Sequence, residues 1–225
     1  NRDGLVDMLD TSPYVPRLSE PIGGFTDVAS GGAYSADVTA GIQGRTGLVS
    51  LALWNNDSDG AGYVSREGAV ANRPVLRLEL AALPPATPRA TPTPTPTRTA
   101  SVTRTPTATP TRTASPTPTR TATPTPLPSA AGTTITLAPL ADTHIESGTA
   151  ATWDHGAASG FEVDASPIDI TYLKFDLSGV SAPIVSAHLI LYCTNLSPNG
   201  GTIHPVPDAG WIEGDRDGTS ASSAG

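Results

Sequence analysis

The chain has 225 residues, and 13 of its 23 prolines lie between Pro84 and Pro128, so only about 177 residues can contribute to a folded core. Hydrophobic residues make up 37% and aromatic residues 5% of the sequence, which suits a thin β-structure better than a large enzyme with a wide helical core. The net charge is −8, and −13 without the five arginines of the proline-rich segment, which argues against nucleic acid as a partner and predicts repulsion of an acidic polysaccharide unless a cation intervenes.

Residues 1–83 are predicted to form strands joined by turns. Gly23–Gly24, Gly31–Gly32 and residues 55–60 have turn compositions. The candidate strands are Tyr34–Thr39, Leu48–Trp54, Tyr63–Arg66 and Pro74–Leu80. In the last of them Leu76, Leu78 and Leu80 alternate with charged residues, so one face of that strand is predicted to be dry and the other wet.

Residues 84–131 consist almost entirely of Pro, Thr, Ala, Ser and Arg. Proline removes backbone donors and favours extended geometry, so this segment is predicted to be a disordered or polyproline-II-like linker. Dense Thr and Ser with Pro is also the composition of O-glycosylated stalks, which would imply an extracellular or cell-surface location. An unmodified linker is the alternative.

Residues 132–225 are again predicted to form strands with alternating patterns: Leu173, Phe175 and Leu177 are expected to point inward, and Tyr172, Lys174 and Asp176 to form the wet outer face. The candidate strands are Thr134–Leu137, Thr143–Glu146, Gly160–Asp164, Thr171–Leu177, Ser186–Thr194 and Gly201–Val206. Many short strands with few helix signals predict an all-β protein, a β-sandwich of jelly-roll type. No run approaches 18 apolar residues, so no membrane insertion is expected. Cys193 lies in an apolar run and is predicted to be a buried thiol.

Two groups of motifs resemble one known family. The first group comprises Ala141–Ile145, Thr152–Gly156, Phe161–Val163, Tyr172–Leu177 and Ala187–Tyr192. It resembles the opening half of DNRLRE-type domains, also called disaggregatase-related domains or carbohydrate-binding module family 96. The second group comprises Asp37–Thr39, Gly47–Leu53, Ser65–Glu67 and Asn72–Leu76. It resembles the closing half of the same family, so the order of the halves is inverted.

This order suggests that the sequence is a window from a tandem array. Residues 1–83 would be the C-terminal half of one β-sandwich domain, and residues 132–225 the N-terminal half of the next. Each half alone would expose sheet edges and an apolar face. We therefore expect the halves to dock as a permuted sandwich, within one chain or between copies.

Two acidic loops are candidate calcium sites. Asp57 and Asp59 lie two residues apart on a glycine-containing turn, and so do Asp215 and Asp217. This spacing lets carboxylate oxygens converge on a hard cation, although the same residues are also common turn formers. The family resemblance makes a structural calcium plausible. Asp142 and Glu146 are weaker candidates.

Sugar recognition requires exposed aromatic faces with polar neighbours. Trp153, with Asp154 and His155, and Trp211 lie in turn-rich contexts and are the candidate ligand-binding residues for a polysaccharide or cell-surface glycan. Ordinary packing at a sandwich edge is the alternative for both tryptophans. Arg66 and Glu67 are expected to form a polar pair that orders the closing strand.

No catalytic site is predicted. The four histidines lie far apart in the sequence and lack the spacing of a zinc site, and no nucleophile motif is present. The resemblance therefore implies a non-catalytic carbohydrate-binding module repeated along an extracellular protein. The alternative is a structural stalk, adhesin or filament that binds no ligand and associates with other copies of the domain.

Overall fold

The computed structural model describes residues 20–82 and 132–220. The linker predicted at 84–131, with its glycosylation, lies outside these residues. In the first segment the elements are β1 Gly23–Val28, β2 Ala33–Asp37, α1 Thr39–Ile42, β3 Leu48–Trp54, β4 Ala61–Val64 and β5 Val75–Leu80. In the second segment they are β6 Thr133–Leu137, β7 Ala141–Glu146, β8 Trp153–Asp154, β9 Gly160–Ala165, β10 Ile168–Asp176, β11 Ile184–Asn195, β12 Ser197–Val206 and β13 Thr219–Ser220. Single 3₁₀ turns span Val70–Asn72 and Gly148–Ala150.

Eleven of these strands form one antiparallel network. Its main path runs β1-β12-β3-β10-β9-β4-β11-β5-β6, with β2 added to β11 and β7 to β10, while β8 and β13 form a separate pair. Leu51 of β3 and Leu173 of β10 share one core with Leu78 of β5 and Leu189 of β11, so the network folds into two layers that face each other. The prediction of an all-β sandwich is confirmed.

Strands of the two described segments alternate in this network. Strand β3 lies between β10 and β12, and β11 binds β2, β4 and β5. Among residues 20–82 and 132–220, every ladder that β1 to β5 form joins a strand of residues 132–220. In this part of the chain, the strands of the first segment therefore pair only with strands of the second.

The alternating patterns give the expected faces in β5 but not in β10. Leu76 and Leu78 are fully buried, whereas Arg77 is exposed. In β10, however, Tyr172 and Lys174 are only 4% and 6% exposed, so the prediction of a wet outer face there is wrong. The reason is a second apolar cluster on that face, which includes Trp211 and covers the strand.

Two further expectations are settled by the strand and burial pattern. The pair Gly23–Gly24 begins strand β1, so the prediction of a turn there is wrong. The backbone of Asp37 lies so close to Gly23, and that of Gly201 so close to Gly24, that a Cβ at either position would collide with it. Glycine is required in this strand because it alone permits such a close approach. Cys193 is a fully buried free thiol, as predicted.

Within residues 20–82 and 132–220, no helix has the length and apolar character needed to cross a bilayer.

Candidate functional site

Strand β7 carries a row of polar side chains that organises the candidate site. Successive residues of a strand point to opposite faces, so Asp142, His144 and Glu146 share one face, while Ala141 and Ile145 join the second apolar cluster on the other. We call these three residues the β7 polar row. Each of them meets a different group of residues.

The first member, Asp142, lies in an acid clasp formed by Arg66, Glu67, Asp142 and Glu213. Asp142 is 1% exposed. Its Oδ2 accepts the backbone N–H of Arg66 at 2.7 Å, and its own N–H donates to Glu213 Oε1 at 2.6 Å. The Arg66 guanidinium binds the Glu213 carboxylate and lies 2.9 Å from Glu67 Oε1. The expected Arg66–Glu67 pair is therefore part of a larger cluster that joins both segments.

The acid clasp holds three carboxylates against one guanidinium. Burial raises the pKa of Asp142 to about 8, and the charges of Glu67 and Glu213 add to the rise while the Arg66 N–H opposes it. Carboxylate oxygens of these three acids lie within 4.8 Å of one another, and Glu67 Oε2 is buried without a hydrogen-bond partner. Such a cluster can hold a proton on Asp142 or a hard cation between its carboxylates.

The second member, His144, packs against His155. The ring centroids are 3.9 Å apart, and the Trp153 ring follows at 6.3 Å from His155. Burial lowers the pKa of His144 to about 3, and burial lowers that of His155 against the opposing charge of Asp154. Both rings are therefore neutral near pH 7. These two histidines are eleven positions apart in the sequence, but the fold brings them into contact.

Trp153 lies at the surface end of this ring stack. Its side chain is half-buried, whereas Asp154 and His155 are 8% and 7% exposed. The Asp154 carboxylate accepts the backbone N–H groups of Gly156 and Asp215, each at 2.9 Å. Of the three predicted ligand-binding residues in this run, Trp153 is thus the one that is partly exposed to solvent, and the His155 ring packs near it.

Trp211 is packed rather than open to solvent. It is 9% exposed, its indole N–H donates to Ser50 Oγ at 2.9 Å, and Tyr172 meets it edge-on at 6.2 Å. The Lys174 ammonium lies 4.1 Å from the ring centroid and binds the Trp211 carbonyl. The structure therefore places Trp211 in the packing role that the sequence left open as its alternative.

The third member, Glu146, pairs across the strands with Asp169 of β10. Asp169 is 4% exposed, and its Oδ1 is buried without a hydrogen-bond partner. No pattern in the sequence distinguishes Asp169 from other acidic residues. Alternation in β7 could have indicated the polar row, but its partners could not be predicted in this way. Asp169 is placed by pairing between β7 and β10, and His155 and Glu213 are placed by the loops that contain them.

The carboxylates of the two predicted calcium loops lie apart from the β7 polar row, whereas the weaker candidates Asp142 and Glu146 belong to it. Asp57 and Asp59 are exposed, and Asp57 Oδ1 accepts the Asp59 N–H at 3.3 Å. Asp215 and Asp217 are exposed as well, and Asp215 lies 4.0 Å from Arg216. In the described ranges, a group of three acidic or histidine donors within 4.8 Å occurs at Glu67, Asp142 and Glu213, and Asp57, Asp59, Asp215 and Asp217 are not part of it.

Comparison with known proteins identifies a family for the second segment. Residues 133–215 match the family model of Carbohydrate-binding module family 96, which confirms the resemblance over this range and supports a carbohydrate-binding module. The matched range contains the β7 polar row, Trp153 and Trp211. No curated protein and no solved structure matches the chain.

Proposed function

Because residues 133–215 match carbohydrate-binding module family 96, we propose that this chain is a non-catalytic, extracellular carbohydrate-binding module that is repeated in a tandem array. Trp153 is the residue that would stack on a sugar ring. The observation that carries this assignment is a half-buried tryptophan, packed near the buried His155 ring and, behind it, the half-buried His144 ring, inside the matched range. Because the Trp153 ring is packed near His155, it loses little conformational freedom when it binds a sugar.

The charge of the chain favours a neutral ligand. Outside the proline-rich segment the net charge is −13, so a neutral polysaccharide binds without the repulsion that an acidic one meets. Weak single sites in a repeated module would gain affinity through avidity.

Affinity electrophoresis against neutral and acidic polysaccharides tests the proposal. We expect the Trp153→Ala variant to lose retention by roughly tenfold or more, because a stacking aromatic anchor contributes most of the affinity at such a site. Tyr192→Ala, which removes another half-buried ring, serves as the matched control. Equal retention of the two variants, with both folded by their melting temperatures, would refute the role of Trp153.

A structural role as a stalk, adhesin or filament subunit is the second candidate. The packing of Trp211 favours it, since it reduces the aromatic surface that a glycan could contact. Absence of retention by any polysaccharide, together with self-association of the chain, would favour this second candidate.

A structural calcium ion belongs to the proposal. Each predicted loop, Asp57 with Asp59 and Asp215 with Asp217, offers two exposed carboxylates that a Ca²⁺ ion could bind with backbone carbonyls and water. Chelation should then lower the melting temperature.

A further inference from the structure

Asp169 is buried in a setting that does not neutralise its charge. The residue is 4% exposed, and its Oδ1 is fully enclosed without a hydrogen-bond partner. A buried carboxylate without a partner costs free energy unless it gains a proton or a cation. Native structures rarely retain such a group without a reason.

The neighbours of Asp169 are themselves acidic. Glu146 on β7 and Asp164 on β9 are its partners in the two antiparallel ladders that flank this part of β10. Burial, followed by the charges of Glu146, Glu162 and Asp164, raises the pKa of Asp169 to about 7. Three strands thus bring four carboxyl groups to one place. We call this group the Asp169 cluster.

We propose that the Asp169 cluster is a divalent cation site, with Ca²⁺ as the ion and Asp169 as its buried direct ligand. Hard cations of this class bind carboxylate oxygens and accept variable geometry. The orphaned Oδ1 of Asp169 is the observation that points to a ligand, since its missing partner is what an ion supplies.

The Asp169 cluster is wider than the acid clasp, in which three donors lie within 4.8 Å of one another. A Ca²⁺ ion therefore binds Asp169 directly and reaches Glu146, Glu162 and Asp164 partly through water molecules. Glu146 and Asp164 are half-buried and Glu162 is exposed, so the ion enters from the solvent side of the cluster. Binding ties β7, β9 and β10 together where the sheet turns from one layer to the other.

The inference is independent of sugar binding, and its test uses the full chain. Terbium(III), a calcium substitute, is titrated into the protein while emission sensitised by aromatic residues is recorded. Trp54 pairs with Ile170, next to Asp169, so it lies close enough to act as a donor. Melting temperatures are measured in parallel in EDTA, CaCl₂ and MgCl₂.

Wild-type protein should show saturable terbium emission, and calcium should raise its melting temperature by roughly 5 °C at a hundredfold excess over Kd. The double variants D57N/D59N and D215N/D217N, which remove the carboxylates of the predicted loops, should keep both signals, since the Asp169 cluster is unchanged in them. With all four loop carboxylates replaced, adding Asp169→Asn should abolish both signals, whereas adding Glu79→Gln, at an exposed acid on β5, should keep them.

Three results would overturn the proposal. They are the absence of a calcium effect in the wild type, a calcium effect that Asp169→Asn leaves unchanged when the four loop carboxylates are already replaced, and loss of the effect in a predicted-loop variant while the Asp169→Asn single variant retains it. If Asp169→Asn does not fold, Glu146→Gln decides: the proposal requires its half-saturating terbium concentration to rise by about tenfold, and an unchanged value contradicts it.

Discussion

Burial changes the pKa of several side chains in this protein, and Asp142 is the clearest case. It is enclosed with Glu67 and Glu213 around one guanidinium, so its carboxyl group keeps a proton that the unfolded chain releases. Its pKa rises from the usual 3.8 to about 8. The folded state therefore binds more protons than the unfolded state between these values, and its stability decreases as the pH rises through this window.

We expect the melting temperature in EDTA to fall by roughly 3 °C per pH unit between pH 7 and 8, where histidines are mostly neutral in both states. Asp142→Asn retains an oxygen for the Arg66 N–H and removes the titration, so its melting temperature should vary less. Calorimetry across pH 6.5 to 9 measures both, with Glu79→Gln as the control. An equal pH slope in wild type and Asp142→Asn would contradict the role assigned to this residue.

At the scale of elements, β8 is held in place by the segment that precedes β13. The Asp154 carboxylate binds the N–H of Asp215, and the Asp154 carbonyl accepts the N–H of Gly218 at 2.9 Å. Gly214 lies directly against this carboxylate, and a Cβ there would overlap it. The absence of a side chain at position 214 thus allows the two elements to close around Trp153.

Gly214→Ala should destabilise the protein by about 2 kcal/mol, because the new methyl group displaces a buried carboxylate from its two donors. Gly179→Ala is the matched control, since nothing lies within 4 Å of a Cβ at that glycine. Denaturant unfolding compares the two variants. Hydrogen exchange at the Gly156 and Asp215 amides should become faster in Gly214→Ala alone.

Similar unfolding midpoints for the two glycine variants would contradict this account of β8. The same comparison bears on ligand binding, because Trp153 lies on β8. A displaced β8 should weaken sugar retention in Gly214→Ala even though no residue that contacts the sugar has changed.

At the scale of the whole molecule, residues 20–82 and 132–220 form interleaved parts of one sheet network. Within these residues, strands β1 to β5 all pair with strands of the second segment. Separated by the proline-rich segment in sequence, the two parts depend on each other for backbone hydrogen bonds and for a common core.

We expect a fragment of residues 1–83 to be unfolded alone, because its strands would lack all of these ladders and its leucines would face water. Mixed with a fragment of residues 132–225, it should regain β-structure. Circular dichroism and amide NMR dispersion test each fragment and the mixture. A folded spectrum from residues 1–83 alone would contradict the expectation.

Many of the strands could be predicted from local patterns. Alternating apolar residues indicated β5 and β10, and an apolar run followed by turn residues indicated β3. The structure has β3 and β5 at nearly the predicted bounds, and β10 begins three residues before the predicted Thr171. The glycine pair that opens β1 was misassigned, since glycine signals a turn unless a close backbone neighbour requires it. The wet face predicted for β10 was wrong because a distant segment covers it.

The sequence by itself determined an all-β chain with a proline-rich interruption and a resemblance to one family of carbohydrate-binding modules, because composition, period-two alternation and local motifs are properties of neighbouring residues. Only the tertiary structure decided that Trp211 is packed, that His144 stacks on His155, and that Asp142 and Asp169 are buried among other acids. These features depend on contacts between segments that local sequence patterns do not show to be neighbours, and the free energy of burying a charge is set by the side chains that these contacts bring together.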